Sequence, residues 1–150
     1  MHSLVSLELT DAKSLIAAAE TEANRLSSPS NIAIVDVTGY LIAHVRMDGA
    51  QLGSVHHSID KAFTSCVLRS DTGVLTDQAQ PGGSLYGLAG SIDGRVITFA
   101  GGVPVKSDGC VIGAIGVSGG TAEQDHQIAL AAVGAFEKNA MPKSMHSQKN

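Results

Sequence analysis

Tryptophan is absent from this chain, and only five aromatic residues occur, three Phe and two Tyr. Few ring platforms are therefore available to stack on a flat ligand. There is no basic run and no interleaving of aromatic with basic residues. With a net charge of −4, this argues against nucleic-acid binding. No apolar run approaches the roughly 20 residues that span a bilayer, so no membrane partner is expected. Met1 to Thr10 has neither a basic n-region nor a long apolar h-region. No signal peptide is read there, and a cytoplasmic location is expected. The two cysteines, Cys66 and Cys110, lack CxxC spacing and sit among apolar neighbours. Both read as small buried hydrophobes. The HxxxH spacing of a helical zinc site is missing, and adjacent His56 and His57 point about 100° apart on a helix. No metal site is predicted.

What is present is a chain of 150 residues, 43% apolar and 16% charged, with 17 glycines. That fits one globular domain with a substantial core. Ala, Val, Ile and Gly dominate the core candidates, so helices and sheet can approach closely. The densest glycine block runs from Gly109 to Asp125 and reads as a buried strand, a glycine turn and a capped helix. Such a junction can cradle an anion on backbone amides, or the glycines can serve close packing. Gly113, Gly116 and Gly119 are spaced G-x-x-G-x-x-G, which is not a dinucleotide fingerprint. There is no Walker lysine, and only one helix and a tail follow, with no second parallel strand. Glu123 and Asp125 already place negative charge in the first helical turn, where the dipole favours it. Close packing between the last strand and the last helix is the stronger reading.

Thr10 is the expected N-cap of a first helix running to about Leu26, with Ala12, Leu15, Ile16, Ala19 and Ala23 at helical spacing. Asn31–Asp36 and Tyr40–Met47 read as an antiparallel hairpin. Ser54 is the expected cap of a second helix with an apolar stripe of Val55, Ile59, Ala62, Phe63 and Cys66. A short strand is expected near Tyr86–Ser91, and others at Arg95–Ala100 and Cys110–Ser118. Thr121-x-x-Gln124 is a capping box opening the last helix. The order α-β-β-α-(β)-β-β-α defines an α+β domain with an antiparallel sheet. Residues 1–140 form the single domain, and 141–150 read as a flexible polar tail.

The candidate chemistry gathers at two places. Arg46 and Asp48 close the second strand at i,i+2, where they can pair with each other or clamp a ligand carboxylate. His57 and Lys61 are an i,i+4 pair on the second helix. His57 is a candidate general base or haem ligand, and Asp48 a second candidate for moving a proton. Lys61 is a candidate partner for an anionic ligand or for a strand-end carboxylate such as Asp48.

Five blocks carry a family resemblance: Ile34-Val35-Asp36-x-x-Gly39-x-Leu41, Arg46-Met47-Asp48-Gly49-Ala50, Lys61-Ala62-Phe63-Thr64, Gly101-Gly102-Val103-Pro104, and Gly109 to Asp125. In order, over roughly residues 10 to 138, they resemble the GlcG/HbpS family, which includes haem-binding HbpS proteins and the C-terminal domain of PduO. The resemblance implies a profilin-like α+β domain, with a five-stranded antiparallel sheet flanked by helices, that assembles into homo-oligomers. It also implies haem as a cofactor or ligand. Two departures bear on that. The first helix has no histidine to match the PduO-type haem ligand, and the Glu-x-x-Glu pattern of the HbpS type is missing. His57, His44 or His126 must then serve. Three functions follow: a small-ligand protein binding haem or another tetrapyrrole; a small catabolic enzyme (tautomerase, hydratase or hydrolase) acting on a carboxylated intermediate; or a non-catalytic oligomeric accessory protein.

Overall fold

The computed structural model describes residues 1–140; the expected tail, 141–150, lies outside them. The chain opens with α1 (Leu9–Arg25), then β1 (Asn31–Asp36), β2 (Leu41–Arg46) and α2 (Ser54–Leu68). A long segment with short 3-10 turns at Thr72–Leu75 and Leu88–Gly90 follows, and then β3 (Gly102–Ser107), β4 (Cys110–Ser118) and α3 (Ala122–Ala140). The strands form one antiparallel sheet in the order β2-β1-β4-β3. Strand alternation divides the sheet into two faces. Ile32, Ile34, Val103, Val105, Ile115 and Val117 join the large core built with α1 and α3. Ala33, Val35 and Ala114 form a smaller cluster with Ala62 and Cys66 of α2. The molecule is thus helix pair, sheet, single helix.

The α+β class and antiparallel sheet are as expected, but among the described residues the sheet has four strands, not five. Arg95–Ala100 is not a strand: Arg95 sits in a turn at φ −84° and ψ −10°, Phe99 and Ala100 bend, and threonine hydroxyls take the backbone groups that a neighbouring strand would otherwise bond. Thr64 Oγ1 donates to the Arg95 carbonyl at 3.3 Å and accepts the Ile97 N–H at 3.0 Å. Thr72 Oγ1 donates to the Phe99 carbonyl at 2.7 Å, and Thr76 Oγ1 to that of Thr98 at 2.6 Å. The Arg95 guanidinium adds an ion pair with Asp60 at 3.0 Å and lies 3.8 Å over the Phe63 ring. The Tyr86–Ser91 stretch likewise forms a 3-10 turn, entered through Gly87 at φ 91°.

The face that α2 buries keeps Ala62 and Cys66 of the expected apolar stripe, whereas Val55, Ile59 and Phe63 are half-buried. The rest of that face is polar: Ser54, Ser58, Lys61, Thr64 and Ser65. Gly116 explains how this face packs. A Cβ there would stand 1.9 Å from the Ser58 carbonyl oxygen, so helix backbone rests directly on strand backbone. The glycine block does serve close packing, but Gly116 meets α2 rather than the last helix. Gly119 abuts the Pro29 carbonyl.

Local starts and ends show smaller shifts. Glu8 is the N-cap of α1, with its N–H given to the Asp11 carboxylate at 2.8 Å, in place of Thr10. Gly53 precedes α2, so Ser54 is its first residue rather than its cap. The Thr121–Gln124 capping box forms reciprocally, at 3.0 and 3.1 Å. Cys66 is buried, whereas Cys110 is exposed at the β3–β4 turn, because the strand enters the core only past Val111.

Candidate functional site

Helix α2 carries His57 and Lys61 one turn apart and sends them to different environments. His57 is exposed. Lys61 is 1% exposed, the largest fully buried side chain. Its ammonium donates to Asp125 Oδ2 and to the Val117 carbonyl, each at 2.9 Å. The other carboxylate oxygen of Asp125 accepts the Gly120 N–H at 2.9 Å. Burial holds the Lys61 pKa below its ordinary value, and the Asp125 charge and hydrogen bond pull it back upward. The carboxylate partner of Lys61 is therefore Asp125 of α3, not Asp48.

Phe99 lies between the two α2 residues. Its ring meets the His57 imidazole edge to face, with centroids 5.7 Å apart and planes at 89°. The Lys61 ammonium stands 5.0 Å from the same ring centre, within cation–π range. Gly101 and Gly102 make room for this arrangement. A Cβ on Gly101 would lie 2.8 Å from the Lys61 ammonium, and one on Gly102 would lie 2.4 Å from the Lys61 carbonyl oxygen.

Asp125 and Phe99 are the residues that sequence reasoning missed. Asp125 looked like a carboxylate placed to suit the helix dipole, and Phe99 like a strand residue. The available signal was the pair of small residues at 101 and 102, which shows that something large must pass there.

Arg46 and Asp48 lie elsewhere. Both are exposed and line a cleft of about 560 Å³ with Glu20, Asn24, Pro29 and Met47, and neither His57 nor Lys61 reaches it. His44, on β2, is half-buried, with its Nε2 enclosed and without a hydrogen-bond partner among the described residues. Burial, then the nearby Arg46 charge, hold its pKa below the ordinary value. His126 is also half-buried, with Nδ1 enclosed and likewise without a partner among the described residues. Among the described residues no group of three or more His, Cys, Asp or Glu is placed to hold a metal ion, and no helix is long and apolar enough to cross a membrane.

The antiparallel sheet between a helix pair and a single glycine-seated helix defines the class, and sequence comparison places the chain within it. A family model described as haem degrading protein HbpS-like matches residues 7–134, and the chain belongs to this family. It is 42% identical over 137 residues to the uncharacterized 15.0 kDa protein of the dhaT-dhaS intergenic region of Citrobacter freundii, covering 91% of this chain and 96% of that one. It is 40% identical over 132 residues to the corrinoid adenosyltransferase PduO of Salmonella typhimurium, spanning 88% of this chain but 39% of that protein. Among solved structures, ORFY of Klebsiella pneumoniae superposes with TM-score 0.90 at 37% identity, covering 95% of this chain and 97% of that one. The PduOC:heme complex superposes with TM-score 0.83 at 40% identity, covering 87% and 95% respectively.

Proposed function

We propose that this chain binds haem or a closely related tetrapyrrole, with the His57 imidazole as the axial group. The observation that carries the reading is the match, at 40% identity and over 95% of its length, to a domain crystallised as a heme complex. The residues at hand fit a porphyrin in two respects. An axial ligand must present an accessible imidazole nitrogen, and of His44, His57 and His126 it is His57 that is exposed. A porphyrin face also needs apolar contact, and the partly exposed Phe99 ring stands against that imidazole. Lys61 takes no part in holding the propionates, because Asp125 and the Val117 carbonyl occupy it. When bound, haem would supply the redox and oxygen chemistry, and the protein the axial nitrogen and the ring contacts.

Assembly into a homo-oligomer belongs to the same reading. Val74, Leu85, Tyr86 and Ile92 expose apolar surface along the segment after α2, and apolar surface of this kind is what subunit contacts cover.

Titration with haemin tests the proposal. A shifted Soret band is expected, with His57→Ala weakening binding about tenfold or more. No shift at micromolar haemin would overturn the function, and an unaltered His57→Ala titration would overturn the ligand.

A second reading attaches to the cleft beside Arg46 and Asp48. A guanidinium next to a carboxylate suits a small carboxylated substrate, with Asp48 moving a proton. This site would work without His57 and Lys61. Saturable binding of small carboxylates that is lost in Arg46→Ala supports it, and equal binding by that variant removes it.

A further inference from the structure

The geometry points to Phe99 as the positioning residue for the His57 imidazole, itself held in place by the buried Lys61–Asp125 pair. The inference rests on the reading of His57 as an axial ligand. An imidazole that ligates a metal is normally oriented through its second ring nitrogen by a carboxylate or carbonyl. Here the contact holding the ring is aromatic: an edge-to-face pair with Phe99 at 5.7 Å and 89°, the arrangement that ring quadrupoles favour.

Phe99 can serve as a fixed stop because it is anchored twice. Its carbonyl accepts the Thr72 hydroxyl at 2.7 Å, and the same hydroxyl accepts the Gly102 N–H at 3.0 Å. Its ring lies 5.0 Å from the Lys61 ammonium, which two acceptors immobilise. Asp125 is held in turn by the Gly120 N–H at the start of α3. A continuous set of contacts thus runs from the core, through a buried charge pair and one ring, to an exposed imidazole. Solvent reaches Phe99, which is 41% exposed, so the ring remains available to a bound ligand on its open side. This accounts for a lysine kept in the core beneath a surface histidine.

The test compares full-length wild type with Phe99→Leu, Phe99→Tyr and His57→Ala. Haemin affinity and the Soret position are read for each, together with the His57 ring resonances by NMR in the haem-free protein. Phe99→Leu keeps apolar bulk and removes the ring. It is expected to weaken haemin binding about tenfold, to move the Soret band toward that of free haemin, and to displace the His57 resonances. Phe99→Tyr keeps the ring and is expected to restore both the spectrum and the resonances. If Phe99→Leu matches wild type in spectrum and affinity while His57→Ala loses binding, the positioning role is overturned and the ligand assignment stands. If His57→Ala binds as wild type does, the ligand assignment itself falls. Unchanged His57 resonances in Phe99→Leu would overturn the contact in solution even if that variant bound haemin poorly.

Discussion

Replacing Lys61 by methionine keeps the length and bulk of the side chain and deletes its charge. Asp125 then remains 3% exposed with the Gly120 N–H on one oxygen and no donor on the other. The Val117 carbonyl loses the same ammonium. Breaking a buried pair from one side costs about 3–5 kcal/mol, because the remaining charge is uncompensated. At this chain length that is a fall in Tm on the order of 10 °C. Asp125→Leu is expected to cost as much, because it leaves the ammonium with one carbonyl. The double variant should not show the sum. Both charges are gone, and what remains is chiefly an unpaired Gly120 N–H, worth about 1–3 kcal/mol. The two single losses together should therefore exceed the loss in the double by at least about 3 kcal/mol, and by about 6 kcal/mol at the middle of these ranges. Urea unfolding at pH 7, at one fixed protomer concentration, measures all four corners of the cycle. Single variants that each lose less than about 1 kcal/mol and simply add would show a solvated pair, and the account of α2 seated on a buried charge would be wrong.

Two further outcomes follow from the packing and from His44. Gly116→Ala drives a Cβ into the Ser58 carbonyl of α2 and should cost about 3 kcal/mol. Gly134→Ala, on an exposed turn of α3 with open space at its Cβ, should gain about 0.5–1 kcal/mol; thermal unfolding that ranks these two alike would refute the glycine seat. His44 has a folded pKa below its unfolded value. The unfolded chain therefore takes up a proton that the fold resists, so stability present above about pH 6.5 is lost as pH falls from there toward the folded pKa. His44→Leu should flatten that limb in urea midpoints measured from pH 8 to 5, and an unchanged slope would exclude His44 as its source.

Much of the architecture was legible from local pattern. The β1–β2 hairpin, the Cys110–Ser118 strand, the Thr121–Gln124 cap and the helical spacing in α1 all depend on residues within one turn or one strand of each other. Arg95–Ala100 was not legible, because its β-branched composition fits a strand, and the hydroxyls that satisfy its backbone come from residues 64, 72 and 76. The buried face of α2 was obscured for a related reason. Hydrophobic periodicity assumes that the core side is apolar, whereas this helix lies on Gly116 and buries serines and a lysine. At the candidate site, His57 and Lys61 could be placed on one helix from their spacing. Their opposite fates could not, because Asp125 is 64 residues from Lys61 in sequence.

The amino-acid order alone determined the class of the domain and its family blocks, since caps, turns and alternation are short-range properties. Through the spacing and acids of the glycine block it also favoured packing over an anion cradle, and the structure then supplied the backbone contacts of Gly116 and Gly119. Only the tertiary structure decided which helix that block receives and which carboxylate neutralises Lys61. It alone placed Phe99 between a buried ammonium and an exposed imidazole. Those outcomes depend on which distant segments the sheet brings within 3 to 6 Å of each other, and desolvation at that range turns an ordinary lysine and aspartate into a buried pair.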